Sequence, residues 1–164
     1  LPLAGAGNTG KLYPGGDPDN KKMGPVLCDA MKVKDVTGMN NIPLRAGTPF
    51  LYFKANQDTR KYGESDGTYN EDGYIYNYKD NKDLLELMPL SEATDKNGNP
   101  IPHAWAPSTD AVVAAARRKA FYEAIINPAI TTEARPYNTN TYIIISAGTD
   151  GVFGTKDDIS NCGR

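Results

Sequence analysis

The chain reads as an α+β domain with a small antiparallel sheet, and three features of the sequence point there. The runs "FLYFKA" (Phe50 to Ala55) and "TYIIIS" (Thr141 to Ser146) have the aromatic and β-branched content of core strands. Between them, "STDAVVAAARRKAFYEAIINP" carries apolar residues at helical spacing, from a set of capping residues to a proline stop. Glycine, proline, asparagine and aspartate fill the intervals, which suits a loop-rich exported domain.

At 164 residues the chain has the size of one domain, 1–164, with one core. Its 18 basic and 20 acidic residues nearly cancel, so no overall field draws it to nucleic acid or an acidic membrane. Cys28 and Cys162 belong to no CxxC pair and do not read as a metal or redox motif. They are either one disulfide, worth about 4 to 5 kcal/mol in an entropic account of so long a loop, or two free thiols. No stretch approaches the roughly 20 apolar residues of a membrane helix. The first residue is Leu1, and the expectation is that something N-terminal has been removed.

Element by element, the first forty-odd residues are turn formers at almost every step and predict an ordered loop, with a short strand or turn at "GPVLCDAMKVKD", where Val26, Cys28 and Ala30 share a face. Phe50 to Ala55 follows as a core strand bounded by Pro49 and Asn56. After the turn signals Asp66-Gly67 and Asp72-Gly73, "YIYNY" (Tyr74 to Tyr78) is a second strand candidate, at an edge. Asn81 to Met88 is a short helix or an apolar ridge, and Asp95 to Pro100 a turn. In the main helix Ser108 or Thr109 caps, Asp110 complements the positive end, and Pro128 ends the run. Val112, Val113, Ala116, Ala120, Phe121 or Tyr122, and Ile125 predict one face packed on the sheet, with Arg117, Arg118 and Lys119 in solvent. Three consecutive isoleucines make Thr141 to Ser146 a central strand buried on both faces.

Several motifs suggest chemistry, and most fail in context. "GAGNTGKL" (Gly5 to Leu12) contains G-x-G-x-x-G and most of a phosphate loop, but no strand precedes it and "YPGGDPDN" follows where a helix is needed. His103 is the only histidine; with no nucleophile elbow or zinc signature it reads as a loop hydrogen-bonder, beside a Trp105 buried against the start of the helix. Glu64, Glu86 and Asp66 are carboxylates that no spacing selects as a glycosidase pair. The sequence therefore favours a non-enzymatic role.

The stretch "YIIISAGTDGVFGTKDDIS" is more demanding, because it gathers Asp150, Asp157 and Asp158 just past a buried strand. At about 4 Å and an effective dielectric near 20, each like-charge pair costs on the order of 4 kcal/mol. Either the loop splays them into water, as a polar hairpin with Asp-Gly turns, or a cation sits among them. Their hard oxygens, with Gly148, Gly151 and Gly154 to turn carbonyls inward, suit Ca²⁺ better than Zn²⁺ or Mg²⁺. The spacing is not that of an EF-hand, since Val152 and Gly154 stand where oxygen ligands are needed; Val152 and Phe153 instead pin the loop to the domain.

That stretch resembles the C-terminal signature of the major pseudopilins of type II secretion and related pilin-like proteins, which end in a strand, then Ser-x-Gly-x-Asp-Gly, then a glycine-containing loop closing on Asp-Asp-Ile. "GTPFLYF" (Gly47 to Phe53) is similar to the family's Gly-x-Pro-Tyr-x-Tyr strand, and "LPLAG…YPGGDP" is compatible with the loop after its long helix. The resemblance implies a pilin-like globular domain whose C-terminal loop binds Ca²⁺ through Asp150, Asp157 and Asp158, with the carbonyls of Ala147 and Thr155 as further ligands. It also implies a structural subunit of a pseudopilus, periplasmic or at the cell surface, whose partners are other pseudopilin subunits and the secretion machinery. Family members are anchored in the inner membrane by an N-terminal apolar helix; this chain lacks one and is expected to be the soluble part of a longer precursor. Two departures stand out: Leu44, Arg45 and Ala46 replace the usual Asp-Pro-Trp, and residues 56–140 form a long insertion between the two matching strands. A second reading is a free-standing calcium-dependent surface or glycan-binding module, with the tyrosines between Lys61 and Tyr78 as an aromatic platform, against which stands their use in half-buried packing.

Overall fold

The computed structural model describes residues 27–31, 33–37, 43–62, 74–89 and 94–162. The expected opening loop through Val26, including "GAGNTGKL", lies outside the described residues, as do Glu64, Asp66 and the turns at Asp66-Gly67 and Asp72-Gly73. Among the described residues the chain forms an α+β domain in which a three-stranded antiparallel sheet packs against helical and irregular segments. No helix among them is long and apolar enough to cross a membrane.

Strands β1 (Lys34–Thr37) and β2 (Pro43–Ala46) make a separate antiparallel pair that the sequence reading did not anticipate, with Arg45 opposite Asp35. β3 (Leu51–Lys54), β4 (Tyr142–Ser146) and β5 (Ile159–Ser160) form the main sheet in that order, so β4 is central as expected. Its two faces differ, however. Ile143 and Ile145 are buried with Leu51 and Phe53, whereas Tyr142 is exposed and Ile144 half-buried, so β4 follows the two-residue alternation from Tyr142 to Ile145 and is covered on both sides only at its end, where Ser146 is also buried.

Two asparagines close this sheet. Asn81 Oδ1 accepts the Tyr52 N–H at 3.1 Å and its Nδ2 donates to Tyr52 O at 2.6 Å, which occupies the open edge of β3 with a buried side-chain amide. Asn161 Oδ1 accepts the Ile144 N–H at 2.9 Å where β5 is too short to continue the ladder.

Residues between the two long strands supply the other half of the core, which gives the insertion a structural role. Tyr74, Tyr76, Tyr78, Leu84, Leu85, Trp105, Phe121, Tyr122 and Ile125 join Leu51, Phe53, Ile143 and Ile145 in one apolar cluster. "YIYNY" is not a strand: Tyr74 makes a single bridge to Lys61, Ile75 and Tyr76 form a bend, and Tyr78 begins a 3₁₀ turn, Tyr78–Asn81, leading into α1 (Lys82–Leu85). Consecutive residues here are buried, which a half-exposed edge strand would not allow. Their hydroxyls reach distant carbonyls instead, Tyr76 to Asn138 O at 2.5 Å, Tyr78 to Trp105 O and Tyr62 to Tyr122 O. The turn at Asp95 to Pro100 is present, held by Asp95 Oδ1 accepting the N–H groups of Asn97 and Asn99.

Helix α2 (Ala111–Ala124) is capped by Asp110, whose Oδ1 accepts Val112 N at 2.8 Å and Val113 N at 3.1 Å. The helix ends at Ile125, short of Pro128. Its buried face is narrower than the spacing predicts. Phe121, Tyr122 and Ile125 enter the core, but Val112, Val113, Ala116 and Ala120 are exposed, Val112 by 78%. Alanine carries the first half as a helix on intrinsic propensity, without tertiary burial. Arg117 is not free in solvent either, since its guanidinium donates to Ala106 O at 2.9 Å and ties the helix to the preceding loop. Trp105 packs edge-on against Phe121, deep along α2, with ring centroids 5.5 Å apart.

Cys28 and Cys162 are not joined in a disulfide. Burial, with the neighbouring Asp29 charge, pushes the Cys28 thiol up to about 11, so it is unreactive near neutral pH.

Candidate functional site

β4 runs into the carboxylate loop at Ala147, and the loop returns to the sheet as β5. The turn starts with Gly148 at φ +60°, where a Cβ would lie 2.1 Å from Asp157 O. Gly154, at φ +94°, is less tightly enclosed, a Cβ there lying 2.7 Å from Ala104 Cβ and 3.0 Å from Trp105 Nε1. Both positions need a backbone that side-chain-bearing residues adopt only under strain, in places with no room for a side chain.

Asp157 is the hub. Its Oδ2 accepts the Asp150 N–H at 2.9 Å and the Thr149 hydroxyl at 2.8 Å, and its Oδ1 accepts the Thr155 hydroxyl at 2.6 Å. These bonds, the Thr155 hydroxyl first, hold the Asp157 carboxyl well below the usual carboxylate range. Asp150 turns back on its own loop, Oδ1 accepting Val152 N at 2.7 Å, and the buried Asp158 accepts Gly154 N through Oδ2 at 2.8 Å. The three aspartates thus share one short loop, each closing it against a backbone amide.

Phe153 and Val152 are buried, as expected of residues that pin the loop. Phe153 is held from both sides: its N–H donates to His103 Nδ1 at 3.0 Å and its carbonyl accepts Ala104 N at 2.8 Å. His103 is therefore the loop hydrogen-bonder that the sequence indicates. Burial pushes its imidazole down to about 4, so it is neutral and carries its proton on Nε2 at neutral pH.

The loop's donors are oxygens, with no thiol or imidazole among residues 147–158, and this chemistry fits a hard cation such as Ca²⁺. Ala147 is fully buried at the loop's base, and Thr155 is half-buried with its hydroxyl committed to Asp157. Among the described residues, no three His, Cys, Asp or Glu side chains gather closely enough to hold an ion as the loop stands. The arrangement shown is a hydrogen-bonded clasp.

Two groups in and around this clasp escape sequence reasoning. One is the pair of threonine hydroxyls on Asp157, legible only once the loop is closed. The other is Asp29, a buried carboxylate whose Oδ2 accepts the Ser146 hydroxyl at 2.6 Å across 117 positions of sequence. Compared with protein-family models, curated proteins and solved structures, the chain matches none.

Proposed function

We propose that this chain is the globular part of a structural, non-enzymatic subunit of a type II secretion pseudopilus or related pilin-like filament, and that Ca²⁺ reinforces its C-terminal clasp. The observation that carries the reading is that the Ser-x-Gly-x-Asp-Gly and Asp-Asp-Ile segments close on each other as one unit, through Asp157 with Thr149, Asp150 and Thr155. Ca²⁺ would be held by Asp150, Asp157 and Asp158 with the Ala147 and Thr155 carbonyls. A bound cation supplies positive charge among the carboxylates. The chain's own residues set the loop's base and anchor its apex in the core.

A second feature favours assembly. Tyr52, Tyr142, Ile144 and Ile159 share the sheet face opposite the core, and Tyr52, Tyr142 and Ile159 are 44, 44 and 52% exposed. This is the face that an anchoring helix outside this chain would cover, with the inner membrane and other subunits as partners. The glycan-binding alternative gains no support from the described part of its platform, where Tyr62, Tyr74, Tyr76 and Tyr78 are buried; Tyr69 lies outside the described residues.

Coding DNA upstream of Leu1 tests the assignment. A short basic leader and cleavage-site glycine, followed by about twenty apolar residues with a glutamate at the fifth, supports it; a conventional signal peptide sinks it. Localisation then follows as periplasmic or cell-surface.

A further inference from the structure

The short segment Leu27 to Asp29 lies along the lead-in to β3. Asp29 N donates to Thr48 O at 3.0 Å, Phe50 N donates to Leu27 O at 3.0 Å, and Cys28 bridges Pro49. On β3 the odd-numbered residues face β4, since Leu51 pairs with Ile145 and Ala55 N donates to Thr141 O. Phe50 faces the other way. Residues 27–29 therefore run along the edge opposite β4, and the Asp29 carboxylate must cross the intervening strand to reach Ser146.

The crossing is built for close approach. A Cβ on Gly47 would lie 1.8 Å from Asp29 O, so glycine is what lets the two segments meet. Asp29 is 9% exposed, with Oδ1 accepting Met31 N at 3.2 Å and Oδ2 accepting the Ser146 hydroxyl. A serine hydroxyl has one proton and two lone pairs. With that proton directed at Asp29, Ser146 Oγ presents a lone pair to Gly148 N–H at 3.3 Å. Gly148 is the residue that lies against Asp157, the hub of the loop.

We infer that Asp29 is the positioning residue of the clasp: by fixing the Ser146 hydroxyl it sets the turn at Gly148, and so the place where the loop meets Asp157. This rests on the reading of residues 147–158 as a stabilising unit, but not on calcium. It makes the loop's integrity depend on a residue near the other end of the chain.

Amide hydrogen exchange on metal-stripped protein tests it, with Asp29→Ala, Ser146→Ala, the double variant and Asp29→Asn. Each alanine variant is expected to speed exchange at Asp150, Val152 and Gly154 about tenfold relative to Phe53 and Ile143, the worth of one charged hydrogen bond. The double variant should exchange no faster than the singles, because both remove the same link. Asp29→Asn keeps a side-chain oxygen for Ser146 and should retain most of the protection. Equal acceleration at Phe53 and Ile143, independent multiplying effects of the two substitutions, or no change would each overturn the assignment. Repeating the series with Ca²⁺ separates the two readings: if the ion alters no variant while the metal-free pattern holds, calcium binding fails and the positioning role stands.

Discussion

His103 Nδ1 accepts the amide proton of Phe153, so a buried imidazole on the loop before α2 holds the apex of the carboxylate loop. The bond requires an unprotonated Nδ1. Folding lowers the imidazole to about 4 from its ordinary 6.5, and the unfolded chain therefore binds more protons between those values. Stability should be fully present above about pH 6.5 and fall as the pH drops towards 4, by about 3 kcal/mol for a shift of this size. Urea unfolding between pH 7 and 4 measures it. In His103→Asn, whose amide oxygen can replace Nδ1 as acceptor, this part of the slope should vanish; an unchanged slope would assign it elsewhere. Asp157 has the same sense of linkage, with its contribution present above its unfolded value and lost as the pH falls below it, in a more acidic window.

Gly148 and Gly98 both have positive φ, +60° and +80°, but only Gly148 is crowded. Gly98→Ala should cost about 1 kcal/mol, the backbone preference alone, because nothing lies within 4 Å of its Cβ. Gly148→Ala must also displace the Asp157 backbone and should cost about 3 kcal/mol. Comparing their denaturation midpoints tests the close approach directly, and equal costs would refute it.

The two halves of α2 should respond differently to truncation. Phe121 is fully buried, touching Phe53, Tyr78, Trp105 and Tyr122, so Phe121→Ala should cost about 3 to 5 kcal/mol. Val112→Ala should change stability by less than about 0.5 kcal/mol in chemical denaturation.

This contrast marks where the sequence stops being informative. The strands at Phe50 to Ala55 and Thr141 to Ser146 were legible because apolar runs bounded by turn residues are local signals. So was the helix, through Pro128 and its row of acceptors, although Asp110 and not Ser108 or Thr109 caps it. Which face of α2 is buried was not legible, since valine and alanine spacing does not say whether a partner lies opposite. The tyrosines of "YIYNY" misled for a similar reason: their irregular backbone is set by carbonyls dozens of residues away. In the candidate site, the aspartates and the Phe153 anchor could be read from one short stretch. Asp29 could not, because its link to Ser146 exists only after residues 27–29 dock beside β3.

Asn81 makes a further test of a contact invisible in sequence. Asn81→Leu keeps the branched shape but leaves the Tyr52 N–H and C=O without their side-chain partner, at a cost of about 2 to 3 kcal/mol. Thermal unfolding measures the loss. Faster aggregation of the variant should accompany it, as an unguarded edge of β3 invites strand pairing.

The most direct test of the account is the melting temperature of metal-stripped protein with and without Ca²⁺. Free ion at several hundred to a thousand times its dissociation constant should add roughly 3 to 4 kcal/mol, a rise of several degrees, with Mg²⁺ giving much less. Asp157→Ala should start about 2 kcal/mol less stable even without metal, having lost its charged hydrogen bonds, and should show no response to the ion. No shift in the parent protein at millimolar Ca²⁺ would contradict the calcium clasp and leave a loop closed by hydrogen bonds alone.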